Sequence, residues 1–258
     1  MPELPEVETL CRQLQTRIAG KKILSTKVCD HKLDGIGNVR GLRVLGVCRR
    51  GKTVEMRLEG GQCIIIHLRM SGRLFWRTGR CRESHTRWRI TLEGGGIDLV
   101  DPRRFATVRV ISDPPEALTN DLMGSFDFRK FLQSQAGRRV PVKTLLMDPK
   151  AIAGIGNIYA CEILHASGIS PLRPAAALDE TEWKKIFRQA RRILRRAIAG
   201  RGTSISDWRD LDGCPGENQK ALKVYGREGE ACVRCGGIIV RIRQSGRSTY
   251  CCPRCQKE

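Results

Sequence analysis

The chain has 258 residues, enough for two domains of ordinary size. Its 47 Lys and Arg residues outnumber its 27 Asp and Glu residues, so the formal net charge is +20. A charge this large is typical of proteins that bind a polyanion, with nucleic acid as the first candidate and an anionic membrane surface as the second. The sequence lacks an apolar run of transmembrane length, and we expect neither a secretory signal nor a lipid anchor. A membrane partner is therefore disfavoured.

The first residues predict an unusual nucleophile. Methionine is usually removed when proline follows, and Pro2 would then carry a terminal secondary amine beside the carboxylate of Glu3. Such an amine can attack a sugar carbon and hold it as an iminium. It also loses its proton more readily than a lysine side chain. The alternative is that these residues only start a helix, which explains Pro5 and Glu6 but leaves Pro2 and Glu3 unexplained.

A helix and then a β-rich region follow. Apolar residues recur at helical spacing from Pro5 to Ala19, and Gly20 marks the end. Pro2 and Glu3 would thus precede a helix N-terminus, whose partial positive charge helps to keep the amine deprotonated. From residue 22 to about 111, short β-type runs alternate with glycine-rich turns, which is typical of an antiparallel sandwich or barrel. The predicted strands include 43–49, 53–58, 63–70, 87–92, 97–100 and 106–111.

The second half of the sequence is helical. Asp113-Pro114-Pro115 ends the β pattern. The clearest helix covers residues 181–199, with a capping box formed by Asp179 and Glu182, one apolar face and one strongly basic face. A basic face of this kind is more often solvated than bound to phosphate.

Five of the 12 cysteines lie close together near the C-terminus. Cys232 and Cys235 form one C-x-x-C pair, and Cys252 and Cys255 form another after residues 236–251. Two such pairs at this spacing predict a closed tetrahedral zinc site, and four thiolates leave no open position, so we predict one structural Zn²⁺. The alternating residues between the pairs predict a β-hairpin whose tip, residues 244–247, presents Arg247. Redox-active pairs are the alternative, which the lack of a βαβ pattern disfavours.

The remaining cysteines do not resemble a disulfide framework. Cys251 falls outside the zinc spacing, and we expect it to be a free thiol. Seven more occur singly, a pattern that suits free thiols in a reducing cytosol. These seven are Cys11, Cys29, Cys48, Cys63, Cys81, Cys161 and Cys214.

These features occur in the order found in one known family. The chain resembles the formamidopyrimidine-DNA glycosylases, bacterial base-excision enzymes for oxidised purines, and the resemblance runs over its whole length. It is carried by residues 2–9 (PELPEVET), 65–72 (IIHLRMSG), 101–105 (DPRRF), 154–160 (GIGNIYA), 224–227 (VYGR) and the zinc hairpin. It implies an α+β multidomain fold with an N-terminal β-sandwich and flanking helix (1–112), a linker (113–124), a helical domain with a helix–two-turn–helix motif (125–222) and a zinc-finger hairpin (223–258).

The resemblance implies four catalytic residues. Pro2 would attack the deoxyribose C1′ to form a Schiff base, and Glu3 would protonate the sugar ring oxygen and move protons in later steps. Lys52 would assist glycosidic cleavage and β-elimination. Arg247 would bind a phosphate and take part in δ-elimination. The chemistry needs a nucleophile, a carboxyl acid/base and cations that face phosphate, and these residues supply them.

The same resemblance implies contacts with DNA. Met70, Arg103 and Phe105 match residues that fill the space left in the duplex when the damaged base leaves the stack. Two apolar side chains and one guanidinium that can donate paired hydrogen bonds suit that task. Asn157 lies in the segment 154–159, which connects the predicted helices 141–147 and 157–166, and there it would bind a phosphate together with backbone amides at a helix N-terminus.

Two further DNA contacts, His85 and Arg138, match positions of looser alignment. The implied partner is damaged double-stranded DNA, bound by a monomer in the cytoplasm in association with the nucleoid.

The function predicted is a bifunctional glycosylase and abasic-site lyase that excises 8-oxoguanine and formamidopyrimidines and cleaves the strand by β,δ-elimination. One alternative is an oxidised-pyrimidine glycosylase of the endonuclease VIII type, and residues 4–9 argue against it. The loop 212–220 has the length expected for purine lesions, although Glu217 and Asn218 replace an expected aromatic pair. A non-catalytic binder of damaged DNA is a second hypothesis, which Pro2 and Glu3 argue against, and a zinc-ribbon transcription factor is a third.

Overall fold

The computed structural model describes residues 1–33, 35–79, 84–112, 114, 116–135 and 137–257. The residues of the chain group into two compact units, each with most of its contacts within itself. Unit 1 contains Met1–Glu116 and Ile198–Gln219, and unit 2 contains Ala117–Ala197 and Lys220–Glu258. Cys81 and two positions of the predicted linker, 113 and 115, lie outside the described residues. The domain boundaries given above stay a prediction.

Among its described residues, unit 1 contains one α-helix and two four-stranded antiparallel sheets. Helix α1 covers Leu4–Ile18. One sheet has the strand order β1-β6-β7-β5, and the second has the order β2-β3-β4-β8. The strands are β1 (Ile23–Val28), β2 (Val44–Arg50), β3 (Thr53–Leu58), β4 (Cys63–His67), β5 (Arg73–Arg77), β6 (Thr86–Leu92), β7 (Gly95–Val100) and β8 (Thr107–Ile111).

Helix α1 packs its apolar face into the core that both sheets share. Val7, Leu10, Leu14 and Ile18 recur at helical spacing and are fully buried in one hydrophobic cluster with residues of both sheets. Each such side chain contributes roughly 1.5–3 kcal/mol when buried. The predicted helix and the predicted antiparallel β architecture are thus confirmed, and α1 is held firmly enough to fix the residues at its N-terminus.

Strand β4 ends earlier than predicted. The prediction extended it to Met70, but the strand ends at His67. Arg69 adopts a φ of 55°, in the left-handed region that an extended strand excludes. Met70 therefore lies in a loop. Strands β1 and β5 were not among the predicted runs, because their polar and basic residues obscure the alternation.

Unit 2 contains four helices and one hairpin among the described residues. The capping box predicted for the longest helix is confirmed, since the Glu182 amide donates to Asp179 Oδ1 at 2.8 Å and the Asp179 amide donates to Glu182 Oε2 at 3.1 Å. The elements are α2 (Phe128–Gln135), α3 (Val142–Leu146), α4 (Asn157–Ser167), α5 (Glu180–Ala199), β9 (Val240–Gln244) and β10 (Arg247–Cys251).

The turn of the β9–β10 hairpin is shorter than predicted. The prediction placed residues 244–247 at the tip, but Gln244 pairs with Arg247 and only Ser245 and Gly246 form the turn. Their φ values of 48° and 75° are those of a two-residue hairpin turn. Arg247 is therefore the first residue of β10, where the ladder fixes its backbone.

None of the described helices combines the length and the apolar character that a bilayer crossing requires.

Candidate functional site

The N-terminal residues lie directly before helix α1. Pro2 is buried, and Met1 before it is 49% exposed. Glu3 is the N-cap of α1 and is 3% exposed. Its amide donates to Glu6 Oε2 at 2.8 Å, which closes the first turn. The helix thus places Pro2, a buried carboxylate and the positive end of a helix dipole together.

Glu6 fixes this terminus to a distant segment of unit 1. Its Oε1 accepts the Thr203 amide at 2.7 Å. Gly202 allows the close approach, because it has a φ of 86° and a Cβ there would meet Glu6 Cγ at 2.9 Å. A Cβ on Gly216 would in turn meet the Gly202 carbonyl oxygen at 2.2 Å. The two glycines are therefore required for the terminus to be held in this way.

The two residues that depart from the expected aromatic pair serve to order this same segment. Asn218 is 4% exposed, and its Nδ2 donates to Thr203 Oγ1 at 2.8 Å. Glu217 forms an ion pair with Arg201 at 3.0 Å. Both side chains therefore stabilise the loop rather than extend from it as apolar groups.

Lys52 lies in the two-residue turn between β2 and β3. Arg49 positions that turn against helix α1, since its Nε donates to Glu8 Oε2 at 3.0 Å and its Nη1 donates to the Gly51 carbonyl at 3.1 Å. Thr53, next to Lys52, pairs with His67 on β4. Burial first, and then the charges of Arg69 and Lys52, lower the pKa of His67 to about 4. His67 is therefore neutral at physiological pH.

The three residues predicted to fill the void in DNA lie on two exposed loops. Met70 is 50% exposed and Phe105 is 46% exposed, although both are apolar. The Arg103 guanidinium lies over the Phe105 ring, with 4.8 Å between its Cζ and the ring centroid. An exposed methionine and an arginine stacked on an exposed aromatic ring are suited to insertion between bases.

Asp101 connects these two loops, and the sequence reasoning missed it. Its Oδ2 accepts the Phe105 and Ala106 amides, each at 2.7 Å, and its Oδ1 accepts the Arg103 amide at 3.2 Å. Its Oδ1 also accepts a hydrogen bond from the hydroxyl of Ser71, which is the residue after Met70. Burial alone would raise the pKa of this carboxyl, but these hydrogen bonds lower it below its usual value. An aspartate at a strand end before a proline is a signal for such a turn.

His85 lies beside the same aspartate. It is exposed and has a φ of 61°, and its carbonyl accepts the Asp101 amide at 3.1 Å. Unit 1 therefore holds His85, Met70, Arg103 and Phe105 around Asp101, in addition to Pro2, Glu3 and Lys52.

In unit 2, Asn157 begins helix α4, as predicted. Its Nδ2 donates to the Ser248 carbonyl at 2.9 Å, and its Oδ1 accepts Lys143 Nζ at 2.6 Å. Lys143 is 2% exposed and also donates to Thr249 Oγ1 at 2.8 Å. Lys143 is therefore a buried cation that joins α3, α4 and β10.

Arg247 is exposed and, within the described residues, its guanidinium forms no hydrogen bond or ion pair. It borders a groove of about 280 Å³ that Lys143, Thr144 and Gln244 also line. Arg138 is also exposed, but its Nη1 donates to Gln135 Oε1 at 3.2 Å and lies 3.5 Å from Asp148 Oδ2. Arg247 thus has an unpaired cation beside the Lys143–Asn157 connection, whereas Arg138 is partly neutralised.

The four predicted zinc ligands converge. The Sγ atoms of Cys232, Cys235, Cys252 and Cys255 all lie within 4.8 Å of one another. The Cys232–Cys255 pair is 3.7 Å apart and the Cys235–Cys252 pair is 3.5 Å apart. Four sulfurs at about 2.3 Å from a tetrahedral Zn²⁺ would be roughly 3.8 Å from one another. The donor set and its spacing therefore fit zinc.

A histidine outside the predicted set supports this cluster. His165, on α4, is 2% exposed, and its Nε2 lies 3.2 Å from Cys232 Sγ. Arg234 Nη1 donates to the His165 carbonyl at 2.6 Å, which fixes the same helix end to the zinc hairpin. Glu162, one turn earlier, accepts the amides of Lys223, Val224 and Tyr225. Helix α4 thus braces both the metal cluster and the segment that leads to it.

Comparisons with known proteins agree with this arrangement. Residues 1–108 match the model of the formamidopyrimidine-DNA glycosylase N-terminal domain, residues 115–208 match the H2TH domain of the same family, and residues 229–257 match a zinc finger found in FPG and IleRS. The formamidopyrimidine-DNA glycosylase of Carboxydothermus hydrogenoformans is 39% identical over 100% of both chains. That of Moorella thermoacetica is 40% identical over 94% of this chain and 95% of its own.

Solved structures give the same result. A complex of a Lactococcus lactis FPG mutant with Fapy-dG containing DNA is 32% identical, with a TM-score of 0.90 over 100% of both chains. A complex of Lactococcus lactis Fpg with DNA that contains an abasic site has the same identity and TM-score, over 99% of this chain and 100% of that chain.

The chain belongs to the formamidopyrimidine-DNA glycosylase family. This membership confirms the predicted family, the mixed α+β fold with a helix–two-turn–helix domain and a terminal zinc finger, and the enzyme class. It confirms the predicted function as a base-excision repair glycosylase for oxidised purines, and DNA binding with it. The predicted structural zinc is confirmed by the zinc-finger match and the four-cysteine cluster. The individual catalytic and DNA-binding residues stay predictions.

Proposed function

We propose that this glycosylase attacks damaged DNA with the amine of Pro2, exposed by removal of Met1, and that it is also an abasic-site lyase. The observation that carries the proposal is the position of Pro2 and the buried Glu3 at the N-terminus of α1. The Pro2 nitrogen would bond to C1′ of the deoxyribose as the bond from C1′ to the oxidised purine breaks. The nitrogen then loses its proton, and the ring oxygen takes up a proton and leaves C1′, which opens the sugar and gives a charged iminium that acts as an electron sink.

Strand cleavage would follow from that iminium. Loss of a proton from C2′ lets the C3′–O bond break, which is β-elimination, and a second proton loss lets the C5′–O bond break, which is δ-elimination. Glu3 would give a proton to the ring oxygen and take protons in these steps. Lys52 and Arg247 would face the phosphates that leave, where fixed cations stabilise the developing negative charge.

Removal of the base from the stack would use the loops around Asp101. We propose that Met70, Arg103 and Phe105 enter the duplex while Asn157 and the first amides of α4 hold a phosphate. The exposure of Met70 and Phe105 on two loops that share hydrogen bonds to Asp101 supports this role, since both side chains are accessible to DNA. His85 and Arg138 would add contacts with the backbone.

Borohydride trapping tests the covalent step. We expect a covalent complex with a duplex that contains 8-oxoguanine, and Pro2→Gly should reduce its yield by at least 10-fold. Pro5→Ala, a change in the first turn of α1 that leaves the terminal amine intact, should trap at the wild-type level. If no species is trapped, or if mass spectrometry finds the Pro2 nitrogen blocked while cleavage continues, the mechanism is wrong and the chain is a binder or uses another nucleophile.

A panel of lesions tests the substrate. We expect excision of 8-oxoguanine and formamidopyrimidine to exceed excision of oxidised pyrimidines such as 5-hydroxycytosine. The opposite preference would support an enzyme of the endonuclease VIII type.

We further propose a monomer that acts in the cytoplasm in association with the nucleoid and not at a membrane. A four-thiolate zinc site suits a reducing compartment. Sedimentation equilibrium should give the mass of one chain both free and on DNA, and a dimer would contradict the proposal.

A further inference from the structure

A second groove lies in unit 2 on the outer face of α5. Its volume is about 510 Å³, which is in the range of ligand-binding clefts. Its floor is apolar and its wall is basic. The residues that line it are Phe126, Phe128, Phe187, Lys184, Arg188, Arg191, Arg192 and Arg195. None of them belongs to the catalytic, DNA-binding or zinc residues described above.

The wall of this groove is a strip of guanidinium groups. Arg188, Arg191, Arg192 and Arg195 follow the spacing i, i+3, i+4 and i+7, which places them along one face of a helix, and all four are exposed. Arg188 and Arg195 have no hydrogen bond or ion pair among the described residues. Arg191 and Arg192 each use one nitrogen on a neutral oxygen. The strip therefore keeps most of its donors for an anionic partner.

The floor is built from phenylalanine rings packed edge to face. The Phe126 and Phe187 centroids are 4.8 Å apart with an interplanar angle of 65°, and the Phe128 and Phe187 centroids are 5.5 Å apart at 88°. Phe187 is only 3% exposed. This packing gives an apolar depression rather than a free ring face. It suits an inserted side chain better than a stacked base, which needs an open aromatic platform.

We propose that this groove binds an acidic peptide segment of a partner protein, one that carries a large apolar or aromatic residue next to its carboxylates. Arg188 and Arg195 are seven positions apart on the helix, which is a rise of about 10.5 Å. An extended peptide covers that distance in roughly three to four residues. Its carboxylates accept paired guanidinium donors along the wall while the apolar side chain occupies the depression over Phe126 and Phe128. This is a docking site beyond the glycosylase reaction.

Fluorescence polarisation of the full zinc-loaded protein tests the proposal, with a labelled peptide of four aspartates, one glycine and a terminal phenylalanine as the probe. We expect a Kd on the order of 10 μM, as for a small transient interface. Arg188→Glu combined with Arg195→Glu should weaken binding at least 10-fold. Replacing the peptide's phenylalanine by alanine should weaken it by a similar factor, because the apolar anchor is lost.

The matched control is Lys130→Glu combined with Lys185→Glu. It makes the same change of charge at exposed residues that do not line the groove, and it should bind the peptide within twofold of the wild type. Equal losses in both double variants would mean that only net charge matters and would overturn the proposal. A second outcome would also overturn it. If a short single-stranded oligonucleotide displaces the peptide, and if that oligonucleotide binds the Arg188 and Arg195 double variant more weakly than the wild type, the groove is a nucleic-acid site.

Failure here is separate from failure of the glycosylase mechanism. The Arg188 and Arg195 variant should trap lesion DNA in borohydride at the wild-type rate, because neither residue belongs to the proposed catalytic or DNA-binding set. Loss of trapping together with loss of peptide binding would place the strip in the DNA interface and contradict the proposal.

Discussion

Asp101 illustrates how one buried carboxylate can hold two exposed loops. It is 1% exposed and accepts hydrogen bonds from the loop that carries Met70 and from the loop that carries Arg103 and Phe105. Those side chains face solvent and cannot hold their own positions through packing. Their geometry before DNA binds therefore depends on a residue that itself never needs to touch DNA.

Replacing the Asp101 carboxylate should lower both the free energy of unfolding and the rate of excision. In Asp101→Asn the new NH₂ group can face the amides of Phe105 and Ala106. Two hydrogen-bond donors then face each other without an acceptor, so we expect a loss of about 2–4 kcal/mol in unfolding free energy. Single-turnover excision of 8-oxoguanine should fall at least 10-fold at a temperature where the variant is folded.

Asp98→Asn is the control for Asp101→Asn. Asp98 is as buried, on β7, and accepts from Arg77 and Arg89 rather than from the loops. It should lose comparable stability and keep excision near the wild-type rate. Equal excision rates in the two variants would show that Asp101 does not position the loops.

His67 should make stability depend on pH in a defined window. Its folded pKa is about 4, against 6.5 for the unfolded chain. Between those values the unfolded state binds more protons, so stability falls as pH decreases from 6.5 and the loss levels off below about 4. The slope stays below about 1.4 kcal/mol per pH unit, because the two states differ by at most one proton on this ring.

Urea unfolding of His67→Gln at pH 7, 6, 5 and 4.5 checks this. Glutamine cannot titrate in this range, so the variant lacks the proton-linked contribution of the imidazole, whose Nδ1 accepts the Arg69 amide at 3.0 Å in the wild type. The wild type should lose stability relative to the variant as pH decreases through this range. Parallel profiles would mean that the ring is not kept neutral by folding.

At the scale of elements, local features were predictable from sequence and long-range connections were not. Helix α1, the α5 capping box and the zinc spacing are each encoded in one continuous stretch of sequence, and each was predicted. The links Asp101–Ser71 and Lys143–Thr249 join residues 30 and 106 positions apart. Sequence periodicity does not indicate such a pair. Taken alone, Asp101 is typical of a turn and Lys143 is typical of a solvated surface.

The groove on α5 could not be predicted from the sequence for the same reason. Its arginines were predicted to form a solvated face, which their exposure agrees with. The apolar floor comes from Phe126 and Phe128, about 60 residues earlier in the chain, so the sequence could not place the two beside each other.

Zinc removal should act on the hairpin and spare the β-sandwich. The β9–β10 hairpin and the Cys232–Gln256 segment contain few buried apolar residues, so the metal must supply much of their stability. Chelation should abolish amide-exchange protection in residues 232–257 and displace Arg247. Cleavage products should then shift from β,δ-elimination toward β-elimination alone, with protection of β2–β4 unchanged.

Two adjacent cysteines give the control for zinc loss. Cys252→Ser removes a ligand and should reproduce the chelated state, whereas Cys251→Ser changes a buried thiol outside the four-cysteine cluster and should retain one zinc per chain. Equal loss of metal in both variants would show that Cys251 contributes to the site.

At the scale of the whole molecule, the net charge of +20 should appear as a steep dependence of DNA binding on salt. Release of counterions from the duplex gives log K a slope of about −0.9 per neutralised phosphate against log salt. With roughly six to ten such contacts, affinity should fall about 10³–10⁵-fold between 50 and 200 mM salt. A flat dependence would mean that the charge serves solubility and not DNA.

The slope also distinguishes cations that contact phosphate from those that do not. Arg247→Gln should make the slope shallower by about one, because Arg247 is exposed, unpaired among the described side chains and proposed to face a phosphate. Arg129→Gln removes the same charge from an exposed position on α2 outside the proposed contacts and should leave the slope unchanged. Titrations of an abasic-site duplex at four salt concentrations measure both. Equal slopes for Arg247→Gln and the wild type would mean that this guanidinium does not neutralise a phosphate in the bound state, and its proposed part in δ-elimination would fail with it.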